Sequence, residues 1–489
     1  MSAADPSSVP SHPAAPRLPR RQFAVGGLAA ATLSLAGRSA GAKGNAAVAE
    51  AEPPAEAKRG DAPRATGPLA DYAHAADPAT RFEPVSHGEL PGGTWRTFRL
   101  VSQRWRGVEW THELSLYVPA AVVAARGAGD GPMLLWIDGG SSQKLPAADA
   151  GPSDAVKSAA KAADAAGLPV AVIRQVPYQP MFGGLMEDGL IAHSFVEYVK
   201  TGDPTWPLLL PMVKAAVAAM DAAVEIARTE WKLDVDGFVV TGASKRGWTS
   251  WLTTAIDPRV VGVVPQVIDM LSMDRHLRLQ TQSFGGLSDK LTDYTSRGIE
   301  KLLGTPRGRE LIGIVDPFSY RDRLTAPKLI SLGTNDPYWP LESLDLYRGD
   351  LPGPCWVSYC PNAGHGIPMQ RWAGLVIAMG KHVSGDEPLP DVRWRFAPGG
   401  DGVACVRHAA PRPERVVLWE TESATRDFRQ SKWLPAALAG DGPEWEVPLG
   451  AGMAEGGGRW KAAVVEVHYA RNPIPLVLTT SVHMQERKG

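Results

Sequence analysis

Three polar side chains stand just beyond stretches that read as strands. Ser244 lies in Gly242-Ala243-Ser244-Lys245-Arg246-Gly247, between a β-branched run (237–241) and a helix-forming run (245–256). The pattern is G-x-S-x-x-G, one residue off the G-x-S-x-G turn that presents a nucleophilic serine. A serine on so sharp a turn needs small neighbours, because its backbone is strained and the next helix packs closely. Gly242, Ala243 and Gly247 supply them. The helix start below Ser244 would aim N–H groups and a positive dipole end at developing negative charge. Asp336 closes Gly333-Thr334-Asn335-Asp336 after an apolar run, and His365 lies in Pro361-Asn362-Ala363-Gly364-His365-Gly366 after another. Taken singly, these residues read as a helix cap, a turn-capping Asp and a structural His. Their joint placement is what points to acyl transfer.

The order Ser, Asp, His, each after a strand, is that of α/β-hydrolases. In this reading Ser244 attacks. His365 takes its proton and returns it to the leaving group, and Asp336 holds the imidazole tautomer. Asp269, at the end of the run 260–268, is a rival acid, but the Gly-x-x-Asp turn favours Asp336. One oxyanion donor is expected from the N–H of Lys245 and a second from the loop Gly139-Gly140-Ser141, through Gly140 or Ser141. Tyr338 and Trp339 follow the acid and would line a substrate pocket or anchor a turn. Glu187, in Met186-Glu187-Asp188-Gly189, either binds a polar substrate or begins a solvated helix, with the second favoured. No phosphate loop, dinucleotide fingerprint or metal-ligand spacing is evident, so no cofactor and no metal are expected.

The elements that must carry these residues alternate. Runs 94–100 and 108–118 suggest an antiparallel pair. Continuous apolar runs at 133–137, 169–176, 237–241, 260–268, 328–332 and 356–359 suit strands buried on both faces. Helices are expected at 154–166, 208–229 and 245–256. This predicts a mostly parallel α/β sheet covered on both sides, spanning 67–388. Residues 270–327 are too long for a simple crossover and read as a helical cap. From 389 to 489, short β-like runs (392–396, 402–408, 414–419, 460–469, 476–484) separated by Pro and Gly predict an all-β sandwich.

Residues 1–42 read as an address. Arg20-Arg21 precede an uncharged run, 24–36, and Ala40-Gly41-Ala42 follow. Paired Arg before a mild apolar region fits a twin-arginine export signal, and 13 residues fall short of the ~20 that span a bilayer. The expectation is export through the twin-arginine machinery to the periplasm or beyond. Residues 43–66, rich in Ala, Pro, Glu and Gly, read as a linker. The 489 residues carry 51 Lys and Arg against 52 Asp and Glu, a balance that gives no reason to expect nucleic acid or anionic membrane as partner. Three Cys exclude a disulfide scaffold. Cys355 and Cys360 fall on opposite faces of one strand and cannot pair, which leaves a bridge to Cys405 open.

Several separated motifs carry a resemblance. Thr241-Gly-Ala-Ser-Lys-Arg-Gly-Trp248, Thr201-Gly-Asp-Pro-Thr-Trp-Pro207, Gly333-Thr-Asn-Asp336 and Asn362-Ala-Gly-His365 together resemble the PhoPQ-activated pathogenicity-related protein family, from about Leu69 to the end of the chain. The resemblance implies an α/β-hydrolase-like fold. Gly242-Ala-Ser-Lys245 is also similar to the Gly-Cys-Ser-Arg motif of glucuronoyl esterases. That similarity implies that the Lys245 side chain helps to stabilise the oxyanion; otherwise it points to solvent. The leading expectation is an exported serine hydrolase acting on a small-molecule or carbohydrate-linked ester. A peptidase, or a secreted binding protein with a vestigial triad, are the alternatives.

Overall fold

The computed structural model describes residues 65–125, 131–396, 403–408, 411–438, 444–448 and 458–487. The expected leader lies outside them, as does the linker up to residue 64; Ala65 is already buried. Nine strands form the central sheet: β1 (Arg81–Leu90), β2 (Gly93–Trp105), β3 (Val108–Pro119), β4 (Gly131–Ile137), β5 (Val170–Ile173), β6 (Val235–Ala243), β7 (Val260–Gln266), β8 (Lys328–Gly333) and β9 (Cys355–Cys360). Their spatial order is β1-β2-β3-β5-β4-β6-β7-β8-β9. The first three strands and the β3–β5 pair are antiparallel, and everything from β5 to β9 is parallel. With β1 set aside, this is the α/β-hydrolase arrangement.

The parallel strands form because their apolar runs are buried on both faces, as in β8, where all six residues are buried. Helices Leu209–Trp231 and Lys245–Ile256 cover one face, sharing a core with Leu135, Phe238 and Ile330. Helices Asp154–Ala166 and Met369–Ser384 cover the other, packed on Leu134, Val239 and Leu329. The helix Asp154–Ala166 ends as read, at Gly167 in the left-handed region with φ 67°. The chain leaves the neighbouring strands β4 and β6 in opposite directions, to β5 through the helix Asp154–Ala166 and to β7 through the helix Lys245–Ile256 on the other face, which opens a crevice between them at the carboxyl edge. Register keeps that edge level: Ile137 pairs with Gly242, Gln266 with Ser331, and Gly333 with Cys360.

Between β7 and β8 the expected cap is a set of helices, Met273–Phe284, Thr292–Thr295, Ile299–Leu303 and Pro306–Val315, with 3-10 turns among them. It packs on the helix Glu187–Thr201. Among its described residues the C-terminal part holds eight strands rather than the five runs expected: β10 (Val392–Phe396), β11 (Val403–His408), β12 (Arg415–Ser423), β13 (Leu434–Leu438), β14 (Glu444–Pro448), β15 (Trp460–Tyr469), β16 (Leu476–Thr479) and β17 (His483–Glu486). The run 476–484 divides into β16 and β17, both of which pair with β15. One antiparallel sheet is β10-β11-β14, and the other is β13-β12-β15-β16 with β17 also on β15. They share a core that includes Val406, Val447, Val416 and Val465. Trp433 and Trp445 are buried in this region. Cys355 and Cys360 are free, and the Cys405 side chain lies outside the described residues.

Candidate active site

Ser244 begins the helix Lys245–Ile256 with φ 56° and ψ −124°, a conformation that side chains disfavour. The turn holds because its neighbours have no room for anything else. A Cβ at Gly242 would lie 2.7 Å from backbone atoms of Arg246, and one at Gly247 2.8 Å from Ile268. The strain lifts the serine hydroxyl above the sheet edge, where His365 Nε2 lies 2.8 Å from Ser244 Oγ. His365 Nδ1 lies 2.8 Å from Asp336 Oδ2 and 3.0 Å from Oδ1. Asp336 is buried and accepts a further hydrogen bond from the Tyr338 N–H. The Tyr338 ring lies over the imidazole, with centroids 4.2 Å apart. The structure thus brings together residues 244, 336 and 365 from the ends of β6, β8 and β9. Asp269 is also buried, but no contact joins it to His365, and burial drives its carboxyl well above the usual range. A group that burial keeps protonated in this way is a poor partner for an imidazolium.

The loop Gly139-Gly140-Ser141, expected to supply an oxyanion donor, is held through its carbonyls and its neighbours. The Asp138 and Gly139 carbonyls accept from the N–H groups of Val176 and Gln175, and Ser142 N–H donates to the Gln179 carbonyl. Gln179 Nε2 donates to the Gly140 carbonyl at 3.1 Å. Gly140 has φ 139°, open only to glycine. Ser141 spends its hydroxyl as a cap on Gln143 N–H. Lys245 is the first residue of its helix, so its N–H has no intrahelical acceptor.

The Lys245 side chain does not point to solvent. It is buried, with Nζ 2.9 Å from Glu187 Oε2 and 3.5 Å from Asp188 Oδ1. Glu187 does begin the helix Glu187–Thr201, but its carboxylate is ion-paired rather than left to solvent. Arg246 makes a forked pair to it, 2.8 Å from Nη1 to Oε2 and 2.7 Å from Nη2 to Oε1, and Arg246 Nε donates to the Val176 carbonyl. Burial opposes ionisation of Glu187, yet the hydrogen bonds and charge of Arg246, with Lys245 and Gln179, outweigh it and hold the carboxyl down to about 2. Gly139 lies over the guanidinium so closely that a Cβ there would be 2.5 Å from Nη2. Sequence reasoning missed Arg246; Gly139 opposite it was the available signal.

The acid and histidine loops are held from outside. Asn335 Nδ2 donates to the carbonyls of Phe428, Arg429 and Ser431, the last at 2.7 Å. Asn362 exchanges two hydrogen bonds with the Trp433 backbone, at 2.8 and 3.0 Å. Arg371 donates to Ser358 Oγ, the Tyr359 carbonyl and Glu466 Oε1, which joins β9 to β15. Two spaces flank the triad. Tyr338 and Trp339 line an apolar pocket within the cap, and a more polar cavity of about 510 Å³ has Glu187, Arg246, Gly140 and His365 in its wall.

The sequence profile of the family described as PhoPQ-activated pathogenicity-related protein matches residues 69–429. It stops within the C-terminal β region, short of the chain end. Autocrine proliferation repressor protein A of Dictyostelium discoideum is 30% identical over 386 residues, covering 74% of this chain and 76% of that protein. Among solved structures, acetyl xylan esterase 1 from a Thermoanaerobacterium species aligns with a TM-score of 0.45 at 17% identity, covering 64% of this chain and 91% of that one. An acetyl xylan esterase from a Paenibacillus species aligns with a TM-score of 0.40 at 14% identity, covering 62% and 89%.

Proposed function

We propose, for a chain that belongs to the PhoPQ-activated pathogenicity-related protein family, a serine hydrolase that acts through an acyl-enzyme on a carboxylic ester. One observation carries this reading: Ser244, His365 and Asp336 form a continuous hydrogen-bonded chain at the carboxyl edge of the sheet. Ser244 Oγ attacks the carbonyl carbon while His365 Nε2 takes the proton. Asp336 holds the proton of Nδ1 in place and stabilises the imidazolium. The N–H groups of Lys245 and of Gly140 or Ser141 receive the oxyanion. The ester C–O bond then breaks as His365 returns its proton to the leaving oxygen. Water repeats the sequence to free the acid and restore Ser244. The Lys245 ammonium serves Glu187 and Asp188 rather than the oxyanion. A fluorophosphonate probe should label Ser244, and Ser244→Ala should abolish labelling. Aryl esters should be turned over in preference to peptide amides; the reverse would make the protein a peptidase.

The name of the Dictyostelium relative favours one other reading, a secreted signalling protein. A folded protein that the probe leaves unlabelled would support it. Export is proposed from Arg20 and Arg21 before the uncharged run. Changing both to Lys should trap the precursor inside the cell, and undiminished export would refute the route.

A further inference from the structure

The Tyr338 ring lies over the imidazole of His365, with centroids 4.2 Å apart and planes inclined by 36°. Burial, with Asp188 and Asp336 nearby, pushes its phenol up to about 12, so the ring is uncharged near neutral pH. The backbone N–H of the same residue donates to Asp336 Oδ1 at 2.9 Å. Tyr338 therefore touches both the imidazole and the carboxylate that orients it. The face of an aromatic ring attracts a cation within about 6 Å of its centre. His365 becomes a cation only on taking the Ser244 proton, so the attraction grows as the transition state forms.

The segment that carries this ring is fastened at successive residues. Ser288 Oγ donates to the Pro337 carbonyl at 2.6 Å, and Gln280 Nε2 to the Tyr338 carbonyl at 2.8 Å. Trp339 Nε1 donates to the Val267 carbonyl at 3.1 Å. Gln280 and Ser288 are buried in the cap and locked to each other, since Gln280 Oε1 accepts from Ser288 N–H at 2.9 Å. The second hydrogen of Gln280 Nε2 is directed at His276 Nε2, 3.0 Å away. Burial pushes that imidazole down to about 3, so near neutral pH it is uncharged and accepts. A buried amide with each of its groups engaged holds one geometry.

We propose that Tyr338 is a positioning residue of the hydrolase: its ring face supports the imidazolium of His365, and the cap, through Gln280 and Ser288, holds the ring there. No bond to Tyr338 forms or breaks. This rests on the ester-hydrolase reading above. The test measures kcat and KM for 4-nitrophenyl acetate near neutral pH. Tyr338→Leu should lower kcat about fivefold to thirtyfold, the worth of one aromatic face to a cation, with KM little changed. Tyr338→Phe, which keeps the ring, should recover most of that loss. Should Tyr338→Leu fail to fold, Tyr338→Met takes its place with the same expectations. Ser288→Ala releases the Pro337 carbonyl and should lower kcat by about twofold to tenfold, the worth of one neutral hydrogen bond. In the Tyr338→Leu background it should cost nothing further, because residues that act through one another are not additive. An unchanged kcat in Tyr338→Leu, a change in KM alone, or a Tyr338→Phe variant as slow as Tyr338→Leu overturns the role of the ring face. Additive losses from Ser288→Ala overturn the role of the cap. Where the wild type turns over the ester and is labelled at Ser244, these results bear on Tyr338 alone. If the wild type is neither active nor labelled, the hydrolase reading falls and this proposal with it.

Discussion

The two halves of the site are held in different ways. On the side of the glycine loop, a charged fork of Arg246 and Glu187 lies beneath the loop, within the α/β part, and the Gln179 amide links it to the Gly140 carbonyl. On the other side, the loops that bear Asp336 and His365 are tied by Asn335 and Asn362 to backbone carbonyls of the C-terminal β part. A charged, forked contact is stronger and more directional than a neutral amide bond. A neutral bond to backbone, in turn, depends little on pH. One clasp relies on electrostatics and one on the presence of a second set of sheets.

The largest effect should come from the residue that both halves serve. Ser244→Ala should lower turnover about 10⁴- to 10⁶-fold, measured as kcat/KM. Asp336→Asn should cost about 10⁴-fold by leaving the wrong imidazole tautomer. Both variants should unfold at the wild-type temperature. Asn335→Ala and Asn362→Ala should lower kcat by up to about 10²-fold with little change in KM, since misplacement of a reacting group by about 1 Å costs that much. Equal kcat values in these variants and wild type would show that the β part does not position the triad. Arg246→Lys loses the fork and should lower kcat by about tenfold, roughly the loss of one charge-assisted hydrogen bond. A rise in KM with kcat unchanged would mean that Arg246 serves binding and not the proposed oxyanion loop.

The smallest effect is on stability in acid. Glu187 and Glu466 are both held down to about 2, although burial opposes their ionisation: Glu187 chiefly by Arg246, Glu466 by His468, Arg371 and Trp419. A depressed carboxyl contributes stability above its unfolded pKa of about 4.3, and that contribution disappears as pH falls toward 2. The melting temperature should therefore decline over that window. Glu187→Gln should flatten the decline, while Asn335→Ala should leave its slope unchanged.

How much of this could be read beforehand follows from the range of each interaction. The meeting of residues 244, 336 and 365 was legible because each sits in a tight turn at a strand end, and such turns have local signatures in Gly, Asn and Asp. The helix Lys245–Ile256 was legible to the residue for the same reason, with its strained start and Asp257 at its close. Strand β1 was not. It is an edge strand of mixed polarity, with Pro84 beside a register shift, and the neighbouring strand β2 imposes its conformation. Strand β13 was not legible either, since Leu-Pro-Ala-Ala-Leu has no apolar alternation and is largely exposed. The Arg246–Glu187 fork joins residues 59 apart in sequence. No periodicity links them; the crossing of strand order at β4 brings them together. Glu187 alone looks like any acidic residue in the first turn of a helix.

The asparagine ties also set a timetable. Residues 244, 336 and 365 have all left the ribosome before residue 433, whose backbone secures Asn362, and well before β15 supplies Glu466 to Arg371. Chains assemble from the amino end during synthesis. A nascent polypeptide would therefore carry all three side chains and still lack the frame that aims two of them, so the proposed hydrolytic competence would arrive only when the last sheet closes.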